Sequence, residues 1–275
     1  MGWPSARCAG ILVKTWDYLK RAKRSHHISG PEQTKRKGAM LCLPNLIRRL
    51  HMPHLTLYLR SGMLGTTVSR SARAILQMAR HPRQGRRWVR DRVLGGSPLE
   101  LALPWVSWPC IDYLETLDLK GRRVFEYGGG GSTLYFLKRG CLVRTVENSA
   151  IWAARISDAA SSFSTRLDLS VVEMPENPAA SEREQAPAYI QAPVGAAPWD
   201  LILVDGVDGD PSIRMECLSI AKSSVTRGGI VVLDDSWRPA YDSAAALMAG
   251  FSRLPLEGLG PARLGVTRTD VYIAP

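Results

Sequence analysis

Four consecutive glycines, Gly128 to Gly131, constrain the fold of this 275-residue chain more than any other feature. They follow a short apolar run at 124–127, and residues 132–137 after them favour a helix. Glycine lets the backbone adopt a positive φ and lets a ligand approach where a Cβ would collide. The first amides of the following helix are unpaired donors at the positive end of its dipole. A strand, a glycine turn and a helix in this order predict a cradle for a nucleotide-type cofactor.

A carboxylate beside the turn separates two interpretations of it. A dinucleotide-binding fingerprint requires G-x-G-x-x-G, because a pyrophosphate must come close to the backbone. Gly128 and Gly130 fit that spacing, but Thr133 stands where the third glycine belongs. Glu126, two residues ahead of the first glycine, would also repel a pyrophosphate. A cationic cofactor is compatible with this carboxylate.

Further carboxylates follow other apolar runs of the chain. Glu147 ends a short buried strand after the turn, where an acid can accept hydrogen bonds from both hydroxyls of a ribose. The runs 199–206 (WDLILVDG) and 228–235 (GGIVVLDD) also end in acids, which is the pattern of parallel strands buried on both faces. Ligands of open α/β sheets bind beyond the carboxyl ends of the strands. We therefore expect five acids to converge in one cleft: Glu126, Glu147, Asp205, Asp234 and Asp235.

The glycine turn resembles motif I of the class I S-adenosylmethionine (SAM)-dependent methyltransferases, whose pattern is roughly E/D-x-G-x-G. The runs 199–206 and 228–235 look like the fourth- and fifth-strand motifs of the same family, and the resemblance extends from about residue 103 onward. It implies SAM as the cofactor and methyl transfer as the reaction. It also implies a cofactor site made of Glu126, Gly128, Gly129, Gly130, Ser132, Thr133 and Glu147.

The implied fold is α/β, with a doubly wound, mostly parallel, seven-stranded Rossmann-like sheet whose last strand is antiparallel. Residues 212–226 and 243–250 favour helices, and 251–256 and 266–273 can pair as the two final strands. Residues 174–198 are rich in Pro, Ala, Glu and Gln and predict a loop before the fourth strand.

The positive charge lies in the first part of the chain. Residues 1–100 carry 20 Lys/Arg and 4 Asp/Glu, a net +16, whereas 101–275 carry 16 and 21, a net −5, which gives the overall +11. We expect three segments: a basic, partly mobile extension (1–60), a helical lead-in (61–108) and a SAM-binding domain (109–275). Within 14–93 the basic residues are clustered, and 70–93 favours an arginine-rich helix. Such a basic face can be exposed to solvent, pack on a neighbouring domain, or bind an anionic partner such as a membrane surface. The sequence does not decide among these three alternatives.

The cysteines indicate the compartment. Five of them are scattered along the chain without a C-x-x-C pair, which predicts reduced thiols in a cytoplasmic protein. A peripheral position at a membrane is an alternative that the basic segment leaves open. No apolar run reaches the ~18 residues of a membrane span.

The catalytic residues are predicted from two features of the sheet-forming part of the chain: it contains no histidine, and several of its predicted strands end in acids. All five histidines lie before residue 82, which argues against Ser-His-Asp hydrolysis and histidine-ligated zinc. Asp205 and Asp235 are therefore the predicted catalytic residues, facing the acceptor. A magnesium site of Asp205, Asp235 and Ser236 is left open, because these positions line up with the Asp, Asp and Asn of catechol-type O-methyltransferases. Ser236 stands in place of that Asn, and the family's lysine base after Asp205 is missing.

The predicted acceptor is a hydroxyl group of a small molecule. Methyltransferases acting on nucleobase amino groups carry Asp/Asn-Pro-Pro-aromatic after the fourth strand, whereas residues 205–208 read D-G-V-D. A nucleic-acid acceptor is therefore disfavoured. Two other interpretations stay open: an NAD(P)-dependent oxidoreductase with a Rossmann domain, and a non-catalytic binding protein that uses the basic extension. The sequence does not indicate the oligomeric state.

Overall fold

The structure is a computed structural model that describes residues 63–93, 97–176, 178–209, 212–261 and 265–275. The predicted basic extension over 1–60 lies outside the described residues, and the proposed segment boundaries stay predictions. Within the described ranges, no helix is both long and apolar enough to span a bilayer.

Seven strands form one sheet in the order β3-β2-β1-β4-β5-β7-β6. The strands β1 to β5 pair in parallel, and β7 runs antiparallel to both β5 and β6. This confirms the predicted doubly wound sheet with an antiparallel last strand. Strand order reverses between β1 and β4, so a crevice opens there at the carboxyl ends. The strands are β1 Arg123–Tyr127, β2 Leu142–Glu147, β3 Leu167–Val171, β4 Trp199–Val204, β5 Val225–Leu233, β6 Ser252–Leu259 and β7 Val266–Ile273.

Helices cover the sheet because its central strands are apolar on both faces. On one face, Phe125 of β1, Ile202 of β4 and Val231 of β5 form a buried cluster with Tyr189 and Leu218 of two covering helices. The helices are α1 Met63–Arg80, α2 Pro82–Val93, α3 Pro98–Leu101, α4 Trp108–Glu115, α5 Gly131–Lys138, α6 Ala150–Ala159, α7 Ala186–Gln191, α8 Ile213–Ser224 and α9 Ala244–Leu247.

The start of the described chain packs against its end. Helices α1 and α2 contact β6, and α1 also contacts β7. Ser107, the N-cap of α4, joins the same region: its amide donates to Thr269 Oγ1 at 3.0 Å and its hydroxyl donates to the Leu256 carbonyl at 2.8 Å. The last two strands therefore hold the helical lead-in in place.

Three predicted elements differ from the structure. The helix expected over 70–93 is two helices, α1 and α2, because Pro82 has no amide hydrogen and is suited to the first position of a new helix. The predicted loop over 174–198 contains α7, whose Tyr189 is fully buried in the core. The helix expected over 243–250 is reduced to the single turn α9, and Gly250 with a φ of +95° follows it.

Candidate functional site

The first two glycines of the turn are required by close packing. Gly128 has a φ of +80°, and a Cβ there would lie 2.5 Å from the Cα of Gly206, which follows β4. A Cβ on Gly129 would lie 2.8 Å from methyl groups of both Ile156 and Thr145. The turn after β1 is thus pressed against the end of β4 and against α6, where a side chain has no room.

The third glycine has open space above it. The nearest atoms to a Cβ on Gly130 belong to the Trp152 ring, 3.7 Å away. The Trp152 indole donates to the Gly129 carbonyl at 2.9 Å, so the ring is fixed beside the turn. Thr133, at the position of the missing third glycine, accepts a hydrogen bond from the Gly130 amide at 3.0 Å. Gly130 has a φ of +159° and a ψ of −131°, a backbone conformation that favours glycine. Its Cβ position is not crowded by protein atoms, which suits a position that a ligand approaches.

Glu147, the last residue of β2, binds the turn directly. Its Oε2 accepts from the Gly129 amide at 2.9 Å, and its Oε1 accepts from the amides of Asn148 and Ser149 at 3.0 and 3.1 Å. Burial raises the pKa of Glu147, and these amides partly offset the rise. A carboxylate has about four acceptor sites. One site therefore remains for a ribose hydroxyl, and a second hydroxyl requires one amide to move away.

The sequence predicts that Glu126 lies at a strand end with the other acids in the cleft. In the structure it lies below the crevice rather than at its edge. It sits inside β1, which continues through Tyr127, and its side chain is fully buried. Its Oε2 accepts from the Thr145 hydroxyl at 2.9 Å, while Oε1 has no hydrogen-bond partner in the described part of the chain. Burial raises the pKa of Glu126 to about 7, although the hydroxyls of Ser132, Thr133 and Thr145 offset part of the effect.

Asp205 lies at the edge of the crevice, directly after β4. Its side chain is 26% exposed, and its Oδ1 lies 3.4 Å from Nη1 of Arg214 on α8. The same guanidinium donates to the carbonyls of Gly206 and Asp205 at 2.8 and 3.1 Å. Burial alone would lower the pKa of Arg214, but attraction from Asp205 and other acids raises it above the ordinary value. Arg214 therefore remains charged and fixes the backbone that carries Asp205.

The two acids after β5 are turned towards β7. Asp234 Oδ1 accepts from the Thr269 hydroxyl at 2.8 Å. Asp235 has a φ of +53°, and its carboxylate accepts from Thr267 at 2.8 Å, from the Trp237 indole at 3.2 Å and from Arg238. Asp234 is thus held by β7, and Asp235 is held by the start of β7 and by the loop after β5.

A hydrogen-bonded network that the sequence did not reveal joins the loops after β4 and β5. The Tyr241 hydroxyl donates to Asp208, and the Ser212 hydroxyl donates to the same carboxylate at 2.7 Å. Burial would raise the pKa of Asp208, but these hydrogen bonds lower it overall. Arg238 Nη1 lies 3.8 Å from Asp208 Oδ2, and another nitrogen of the same side chain pairs with Asp235. These residues lie in irregular segments, so no periodicity marked them.

The alternative magnesium ligands are occupied by protein partners. The Ser236 hydroxyl donates to the Arg268 carbonyl and accepts from Arg268 Nε, both at 3.1 Å. Asp235 is bound as described above, and Asp205 faces Arg214. Across the described ranges, no three His, Cys, Asp or Glu side chains are grouped so that they could hold a metal ion. The roles predicted for these residues stay predictions.

Solved structures share the fold of this chain. The chain is similar to the O-methyltransferase from Bacillus cereus in complex with S-adenosylhomocysteine (SAH), with 17% identity, 70% of this chain and 98% of that chain covered, and a TM-score of 0.51. This chain has the fold of the class I SAM-dependent methyltransferases. Another similar structure is TrmN from Thermus thermophilus, with 18% identity, 69% and 53% coverage and a TM-score of 0.45. No protein-family model matches the chain, and no curated protein matches its sequence. Within the methyltransferase fold, the glycine turn, Glu147 and Asp205 surround the crevice between β1 and β4.

Proposed function

We propose that the protein is a SAM-dependent methyltransferase that acts on a hydroxyl group of a small molecule. The observation that carries the proposal is the hydrogen bond from the Gly129 amide to the Glu147 carboxylate. This bond lies beside the crevice where the strand order reverses. An acid at this position suits a ribose, and the buried Glu126 below the same turn suits a cationic cofactor rather than a pyrophosphate. The donor set therefore fits SAM.

Three features of the turn would hold SAM. Glu147 would accept a ribose hydroxyl, Gly130 would allow the ligand to approach the backbone, and Trp152 would offer an aromatic face beside it. SAM supplies a methyl group activated by its positive sulfur. Because methyl transfer is an in-line displacement, the main task of the protein is to align the acceptor with that methyl group.

We assign the alignment of the acceptor to Asp205. It is the acid at the crevice edge that retains an exposed surface, and Arg214 fixes its backbone. Asp235 would act indirectly, since its carboxylate holds Trp237, Thr267 and Arg238 in place. The D-G-V-D sequence at 205–208 supports a small hydroxyl acceptor over a nucleobase amino group.

Titration calorimetry of the full chain with SAM, SAH and NAD tests the cofactor. We expect SAM and SAH to bind and NAD not to bind. Binding of NAD without SAH would overturn the proposal in favour of an oxidoreductase, and binding of none of the three would favour a non-catalytic protein.

Labelled SAM then tests the acceptor. The protein is incubated with a cell extract separated by ultrafiltration into small molecules and macromolecules. We expect label to enter the small-molecule fraction in a form stable to alkali, as an ether is. Label confined to RNA or protein would refute the small-molecule assignment while leaving methyl transfer intact.

A further inference from the structure

A cavity of about 210 Å³ lies between α1 and the sheet, apart from the glycine turn. Its walls include three arginines, Arg73, Arg80 and Arg268, and one acid, Glu257. Its apolar lining residues are Leu76, Trp237 and Val266. The lining is thus cationic with an aromatic wall.

The cavity is at the same edge of the sheet as the crevice. Because β7 is antiparallel to β5, its first residues lie beside the carboxyl end of β5. Two residues of the cavity wall, Trp237 and Thr267, hydrogen-bond to Asp235 there. Neighbouring strands are about 4.8 Å apart, so β7, three strands from β1, lies roughly 14 Å from the glycine turn. A molecule reacting in the crevice would place its far end, not its reacting group, in this cavity.

Two of the arginines are available for an anion. Arg73 and Arg80 are exposed on α1, seven residues apart, which places them on one face of the helix about 10 Å from each other. Within the described residues neither forms an ion pair. Arg268 differs, since it binds Ser236 and lies 3.4 Å from Asp270. Arginine presents a planar fork that matches carboxylate and phosphate groups.

The remaining walls suit a flat, apolar body. The side chains of Trp237 and Leu76 are large and apolar, and the two residues are 44% and 49% exposed. The Trp237 indole nitrogen is directed to Asp235 at 3.2 Å, so the ring is held in one orientation. A cavity of about 150 Å³ is enough for one benzene molecule. The volume here therefore fits a single ring with its acidic substituent.

We infer that the methyl acceptor carries a carboxylate or phosphate group, bound by Arg73 and Arg80, on a planar body that packs against Trp237. The inference rests on the proposed function, because it assigns the far end of the acceptor for the same reaction. It names a substrate class: small aromatic or similarly flat acids that also bear a hydroxyl group.

Nuclear magnetic resonance of the full chain tests the cavity with defined fragments. The indole N–H resonance of Trp237 is assigned with Trp237→Phe, and benzoate, phenyl phosphate and the neutral analogue benzamide are titrated with and without SAH. We expect benzoate or phenyl phosphate to shift this resonance saturably and benzamide to leave it in place. The stronger of the two acids then identifies the anion.

Matched variants test whether the arginines bind the fragment that shifts the Trp237 resonance. Arg73→Gln and Arg80→Gln should each weaken binding of the stronger acid roughly two- to fivefold, which is the upper part of the range for an exposed charge contact. Arg83→Gln removes the same charge from an exposed site on α2 outside the cavity and should change nothing. SAH affinity should be the same in all three variants.

Several outcomes would overturn the inference. They are an equal shift with benzamide, no shift with either acid, or an equal loss of affinity in Arg83→Gln. Because the fragments are also titrated without SAH, failure of the cavity is distinguishable from failure of the proposed function, which would appear as absent SAH binding.

Discussion

Gly128 combines two constraints, a φ of +80° and a Cβ position 2.5 Å from the Cα of Gly206. Gly121 has a similar φ of +74° but nothing within 4 Å of its Cβ position, so it is a matched control. Alanine in the left-handed region costs about 1–2 kcal/mol. We expect Gly121→Ala to lose about 1 kcal/mol of unfolding free energy and to bind SAH normally. Gly128→Ala should lose more and bind SAH poorly, as measured by calorimetry. Equal effects at both positions would contradict the packing of the turn on β4.

Glu147 binds the turn and is the proposed ribose ligand. Loss of hydrogen bonds to a charged acceptor costs about 1.5–3 kcal/mol, so Glu147→Ala should weaken SAM binding roughly ten- to a hundredfold. Glu184→Ala removes the same charge from an exposed position and should leave the affinity unchanged. Circular dichroism checks that both variants are folded. Wild-type affinity in a folded Glu147→Ala protein would exclude the assignment.

Glu126 makes stability depend on pH. Its pKa is about 7 in the folded protein and 4.5 as the ordinary value, so the folded state binds the proton more tightly. The contribution of Glu126 to stability should therefore fall as pH rises from about 4.5 to about 7, by up to about 3 kcal/mol, and be level outside that window. Glu126→Gln keeps the shape without the charge. We expect its melting temperature to match wild type near pH 4 and to exceed it at pH 8. A constant difference across this range would show that Glu126 is ionised throughout.

At the scale of elements, the two loops after β4 and β5 carry acids with different surroundings. Asp205 is partly exposed, whereas Asp235 is 3% exposed and accepts hydrogen bonds from three side chains. We expect Asp205→Asn to lower the turnover number while SAH affinity stays near wild type and the melting temperature falls slightly, because Arg214 loses its attraction to a charged partner. Asp235→Asn should also lower the melting temperature, because its partners lose a charged acceptor. Turnover near wild type in both variants would leave neither acid with a catalytic role.

The elements themselves were largely predictable because their patterns are local. Residues 201–204 and 230–233 are apolar at every position, which is how strands covered on both faces appear in a sequence. The helix α7 was missed because its short Ala- and Pro-containing segment has the composition of a loop, and only tertiary packing of Tyr189 stabilises it.

The site was less predictable than the elements, for a physical reason. The position of Glu147 follows from its strand, because the end of a parallel strand faces the crevice. The partners of Asp235 do not follow, since Thr267 is 32 residues away and comes from the antiparallel strand. The pairing of Asp208 with Tyr241 likewise spans 33 residues between irregular segments. The local sequence predicts the strand or loop on which an acid lies, but it does not predict which distant donors form hydrogen bonds with that acid.

At the scale of the whole molecule, charge and motifs separate along the chain. The glycine turn, Glu147 and Asp205 all lie after residue 121, whereas the excess of positive charge precedes residue 101. We expect a protein that lacks residues 1–60 to remain soluble and to bind SAH with wild-type affinity in calorimetry. Aggregation, or loss of SAH binding, would show that the extension belongs to the domain. Retained binding with lost turnover would assign the extension to the acceptor site.

The contact of α1 and α2 with β6 and β7 has a consequence for biosynthesis. The two helices leave the ribosome before any strand of the sheet, whereas β6 and β7, which they contact, are made last. At about 5–20 residues per second, the intervening 170 or so residues take on the order of ten to thirty seconds to translate. During that interval β1 to β5 can already assemble the glycine turn, while both helices lack their native contacts with β6 and β7. A ribosome that stalls before residue 266 would therefore release a basic pair of helices that lacks its contact with β7.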